Sequence, residues 1–165
     1  MQTESQTRRQ NIVSFFDSQP RSSEAVAAAA ERLWARFESP LRRMIGPIGV
    51  ASLFERCVEL NKVKHPWLPA DKLNHFTERI AYQLIWNSMA KQPVSIAQNA
   101  GIALYSTLFE VLMLLIGERL AARVFSTTMH STITHSYDID AQGLRLRHSV
   151  GNDEGLLPER TNVGE

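Results

Sequence analysis

Glu110 is the only charged residue between Ala100 and Gly117, an eighteen-residue run otherwise made of apolar and small residues. A carboxylate on a central helix loses hydration, so it must find a cation, keep its proton or reach the wet edge of the helix. Ser106 and Thr107 precede it by four and three residues, the spacing that stacks side chains on one helical strip. With Arg56, His75 or Arg79 opposite, this strip would form a polar pocket holding a ligand-contacting or acid–base carboxylate. A structural ion pair, or a carboxylate at the wet edge, accounts for the same residues. Glu110 and His75 are the candidate ligand-binding residues.

His135 and His148 are the candidate metal ligands. Ile133, His135, Tyr137 and Ile139 alternate with polar residues, as do Leu144, Leu146, His148 and Val150. Asp140-Ala141-Gln142-Gly143 between them has turn chemistry, so the spacing predicts a β-hairpin. With Ile139 opposite Leu144, the register sets His135 opposite His148, Cβ atoms about 4.5–5.5 Å apart. Two imidazoles and a carboxylate would suit zinc. However, Asp138 points to the other face and no cysteine accompanies the pair. Two histidines at the ribbon edge, or a pH-sensitive contact between them, are the plainer alternatives.

Other chemistry is poorly supported. Neither GxxxxGK nor GxGxxG occurs, so the common phosphate loops are absent, and no serine sits in a nucleophile elbow. His75 and Glu78 reverse the order used by di-iron bundles. The single cysteine, Cys57, falls among Leu53, Phe54 and Val58 at helical spacing, which reads as a buried, inert thiol. No cofactor is expected.

These residues need elements to position them. Val26, Ala30, Leu33 and Phe37 form an apolar stripe on a helix over 23–38, capped by Ser22 or Ser23. Ser39-Pro40 is expected to stop it and start a short piece that Gly46-Pro47 ends. A third helix runs over 49–63, with Val50, Leu53, Phe54, Cys57 and Val58 inward. The fourth, over 72–90, turns Leu73, Phe76, Ile80 and Leu84 inward. The fifth and longest, over 96–127, carries Ile102, Tyr105, Phe109, Leu112, Ile116 and Leu120 and is the expected spine. Trp34, Trp67 and Trp86 are expected to seal the core.

The fold class is therefore mostly α, a four- or five-helix bundle with a C-terminal β-hairpin and flexible termini. Residues 1–22 form a loose arm, 23–150 the domain (bundle 23–127, hairpin 132–150), and 151–165 a disordered tail. The arm carries an apolar patch, Ile12, Phe15 and Phe16, available to the body or to a partner.

Residues 100–117 also pose a membrane question. A spanning helix needs about 20 apolar residues, and a charged residue at mid-membrane costs about 2.5–3.5 kcal/mol, so the segment reads as a core helix. The formal net charge is +1, which recruits neither nucleic acid nor an anionic surface. The lone cysteine and a polar stretch from Met1 to Gln10 fit a cytoplasmic protein. By elimination, the expectation is a non-enzymatic regulatory or adaptor protein that binds another protein or itself. The alternatives are a small-ligand or metal-binding helical sensor, and a membrane-associated protein using residues 100–117.

Overall fold

The computed structural model describes residues 4–75 and 77–131, with Glu4, Asn74 and His75 described by their backbone only. The chain divides into two compact units, Met1–Met129 and His130–Glu165, and only the first two residues of the second are described. The expected hairpin over 132–150, with His135 and His148, lies outside the described residues, as does the tail over 151–165.

Everything described is helical or turn. Helix α1 spans Glu4–Asp17, α2 Ser23–Lys62, α3 Glu78–Ala90 and α4 Val94–Ile116, and a 3-10 turn covers Ala70–His75. A final helix, α5, covers residues 118–131. α2 packs most extensively on α4, with α3 against α2 and α1 against α4.

The start of α2 follows from its cap. Ser22 is extended (φ −137°, ψ 143°) and its hydroxyl accepts the Ala25 N–H at 3.1 Å, satisfying one of the free donors of the first turn. The expected stop at Ser39-Pro40 does not occur. Proline inside a helix costs roughly 3 kcal/mol, but Phe37 and Leu41 on either side are both fully buried, and their burial offsets that loss. The helical geometry breaks at Gly46 instead (φ 73°, ψ 168°), and Pro47 opens the second half, where its missing N–H costs nothing.

The stripe residues of the two halves of α2, Val26, Leu33, Phe37, Val50, Phe54, Cys57 and Val58, are all buried. The spine breaks at Gly117 (φ 83°, ψ 158°), so the expected helix over 96–127 is two helices. Trp34 and Trp86 are buried and Trp67 packs against the core.

The N-terminal segment and α3 also differ from expectation. Within the expected arm, Glu4–Asp17 form the docked helix α1, with Ile12 and Phe16 buried and Phe15 packed against the core. Of the two roles expected for the apolar patch, the structure shows docking on the chain's own body, with α1 packed against α4. The inward face of α3 is also rotated from expectation. Ile80 is 48% exposed, while Ala81, Ile85, Trp86 and Met89 face the core. The 3-10 turn ends one pattern before α3 begins, so the register from Leu73 does not carry through to α3.

Candidate functional site

An open groove of about 800 Å³ lies between α1, the end of α2 and α4. α1 contributes Arg8, Arg9 and Ile12, the α2 end contributes Asn61, Lys64 and His65, and α4 contributes Asn99, Ser106, Thr107, Phe109, Glu110 and Met113.

Asn61 is the structural key. It continues the buried stripe of α2 one turn beyond Cys57 and Val58 and is only 4% exposed. Its Nδ2 donates to the Cys57 carbonyl at 2.8 Å and to Thr107 Oγ1 at 2.9 Å. A backbone carbonyl can only accept, so the nitrogen is the atom on that side and Oδ1 remains an acceptor. Thr107, accepting from Asn61, keeps its own proton to donate. At the preceding position of α4, Ser106 Oγ is buried with no hydrogen-bond partner.

The charges of the groove come mostly from α1. The Arg8 guanidinium is 14% exposed, lies 4.5 Å from the centroid of the Phe109 ring and sits 3.8 Å from the Glu118 carboxylate. The ring face and the carboxylate together hold the guanidinium in the groove wall. Arg9 and Lys64 are exposed at the rim. Beside Lys64, burial and then the lysine charge hold the His65 imidazole below its ordinary pKa.

Glu110 is placed with Ser106 and Thr107 in this groove, as the helical spacing predicts. It is exposed, however, and sits at the wet edge of α4, not in its buried face. The cations lining the groove with it are Arg8, Arg9 and Lys64. Of its expected partners, Arg56 pairs with Glu59 at 3.0 Å, and His75 is located only by its backbone in the turn before α3. Among the described residues, no three His, Cys, Asp or Glu side chains gather as metal ligands.

A second polar cluster caps the α2–α3 contact. Arg42 bridges Glu38 at 2.8 Å and Glu78 at 2.5 Å. Next to it, burial, followed by Glu38 and Glu78, pushes the Tyr82 hydroxyl up to about 12, with Arg42 and the Trp34 indole opposing. Trp34, Phe54, Tyr82 and Trp86 close into an aromatic block, Phe54–Tyr82 at 4.5 Å and Trp34–Phe54 at 4.7 Å. It leaves no room for a ligand and is core.

Sequence reasoning missed Arg8, Arg9 and Asn61. Asn61 was findable, as a polar residue at the next position of an apolar stripe. Arg8 and Arg9 carried no local signal, because their importance depends on α1 docking. Among the described residues, the helices form an all-α bundle with an open cleft between α1, the α2 end and α4. No protein-family model matches the chain, and comparison with curated proteins and with solved structures returns no match.

Proposed function

We propose that this chain is a non-enzymatic regulatory or adaptor domain of the cytoplasm that acts by protein–protein contact, with another protein or a second copy as its partner. The observation that carries this reading is the bare end of the spine. Leu114 is 86% and Leu115 60% exposed in the last turn of α4, and Leu120, early in α5, is 48% exposed. Burying one leucine is worth roughly 1.5–3 kcal/mol, so a partner that covers these three gains several kcal/mol. With Ile12 and Phe16 taken up by the core, the spine's spare stripe is the better contact surface. The inert thiol of Cys57, pushed up to about 12 by burial, also fits a binding role.

One observation favours a second reading, a membrane-associated protein: among the described residues, α4 is a helix long and apolar enough to cross a membrane. Against it, Ala97, Ala100, Gly101, Leu104, Tyr105, Leu108, Phe109 and Leu112 of α4 are buried within the chain's own fold. Light scattering of the full chain and of Leu114→Ser/Leu115→Ser tests the first reading. Self-association, or capture of a defined partner, that the double variant loses while keeping its helical circular dichroism supports it. A soluble monomer that retrieves no partner overturns it, and a chain that stays with lipid after alkaline washing favours the second reading.

A further inference from the structure

We propose that the groove between α1, the α2 end and α4 binds a small neutral molecule with an N–H beside a C=O, a carboxamide or lactam, on an apolar or aromatic body. This goes beyond the Leu114–Leu115 reading and rests on different residues. The charges of the groove do not select the ligand. Arg8 is held by the Glu118 carboxylate and the Phe109 ring. Arg9, Lys64 and Glu110 are exposed, where water and salt screen them. The hydrogen-bonding groups that the fold holds in place, on Asn61, Ser106 and Thr107, are uncharged.

Asn61 sets the pattern. Its amide nitrogen is spent on the Cys57 carbonyl at 2.8 Å and on Thr107 Oγ1 at 2.9 Å, which fixes the side chain and leaves Oδ1 to accept. Among the described residues, no group donates to that oxygen. Thr107 accepts through Oγ1 and so keeps its own proton to donate beside it. Ser106 Oγ, buried and without a hydrogen-bond partner, is a second hydroxyl with an unspent donor, a state that a ligand acceptor relieves. An N–H beside a C=O complements this set. The N–H donates to Asn61 Oδ1, and the carbonyl oxygen has two lone pairs for the hydroxyl donors. A carboxylate has no N–H to give and would set its charge against Asn61 Oδ1, and an ammonium cannot accept from the hydroxyls. Ile12, Ile102, Phe109 and Met113 make the walls apolar, and a volume of about 800 Å³ is that of a cleft enclosing a small organic molecule.

Benzamide titrated into the full chain and followed by NMR is the probe, with acetophenone and benzoate beside it. All three share a ring and a carbonyl oxygen. Acetophenone replaces the amide nitrogen with a methyl group, and benzoate replaces it with a charged oxygen. Benzamide is expected to bind one to one, and each of the others about 3–10-fold more weakly, the usual loss for one neutral hydrogen bond. Its affinity should hold between about 0.05 and 0.5 M salt, because no ionic contact is involved. Ser106→Ala and Thr107→Val each remove one hydroxyl without adding bulk, and each is expected to weaken benzamide several-fold while the helical circular dichroism persists. Ser52→Ala, which removes an exposed hydroxyl of α2 outside the groove, leaves binding unchanged. Should either groove variant lose its helical signal, the three probes on the unaltered chain decide the matter. Failure of benzamide to bind, an equal affinity for acetophenone or benzoate, or unchanged binding in both folded hydroxyl variants overturns the site. The Leu114–Leu115 reading stands apart from this outcome, because neither leucine lines the groove.

Discussion

The Tyr105 hydroxyl donates a hydrogen bond to the backbone carbonyl of Ala30 at 2.5 Å, tying the middle of α4 to the first half of α2. The ring is 2% exposed and stacks between Phe16 and Phe37, each at 5.9 Å. Burial, with Cys57 adding to it, holds the hydroxyl pKa well above its ordinary value, while the Trp34 backbone N–H opposes. Tyr105→Phe keeps the stacking and deletes only the bond. The Ala30 carbonyl retains its helical donor, so the loss is about 1 kcal/mol, or a melting temperature lower by about 2–4 °C. Differential scanning calorimetry checks this. A drop several times larger would mean that the hydroxyl organises more than this one contact.

Gly101 is where α1 meets the spine. A Cβ built there would stand 2.6 Å from Phe16 Cε1 and 2.7 Å from Phe16 Cζ, and Phe16 is fully buried and cannot swing away. Alanine improves helix propensity by about 1 kcal/mol, but overpacking costs about 1–3 kcal/mol, and the clash wins. Gly101→Ala is expected to loosen α1 and open residues 18–22 to limited proteolysis. Adding Phe16→Leu to the same chain should restore most of the protection. If Gly101→Ala stabilises the protein, α1 is not docked through Phe16.

Much of the bundle was legible because helical spacing is a property of the local sequence. Val50, Leu53, Phe54, Cys57 and Val58 announce the second half of α2 and all are buried. Pro40 misled because a local penalty was weighed without the burial of Phe37 and Leu41 that offsets it. Residues 4–10 are almost wholly polar, and α1 becomes a stable helix only by placing Ile12 and Phe16 against α4, a long-range gain with no periodic signature. The groove suffered for the same reason. Ser106, Thr107 and Glu110 share a strip that helical spacing reveals, but the cations opposite them belong to the helix that was read as an arm.

Asn61 and Thr107 couple α2 to α4 through one hydrogen bond of 2.9 Å. Asn61→Ala leaves the Cys57 carbonyl with only its helical donor and opens a small void, a cost of about 1–3 kcal/mol. Thr107→Val removes the acceptor and keeps the shape. In a double-mutant cycle followed by urea unfolding, the two should couple by about 0.5–1.5 kcal/mol. Strict additivity would show that the bond is not formed in solution.

Cys57 gives the fold an alkaline weakness. The thiol is 3% exposed, and burial pushes its pKa from 9.0 up to about 12, with Arg56 pulling the other way. Between those two values the unfolded chain has released the thiol proton while the folded chain keeps it. The native state then binds more protons, so stability falls as pH rises, at a slope approaching about 1.4 kcal/mol per pH unit. Tyr82 and Tyr105, both raised by burial from 10.0, act in the same direction at higher pH. Urea midpoints measured from pH 9 upward are therefore expected to decline, and Cys57→Ala should flatten the curve between 9 and 10, before the tyrosines contribute. The native thiol should also react with a disulfide reagent only as fast as the chain opens. A decline that is unchanged in Cys57→Ala, together with rapid native labelling, would mean that the thiol is open to solvent and that the α2–α4 interface around it is not closed.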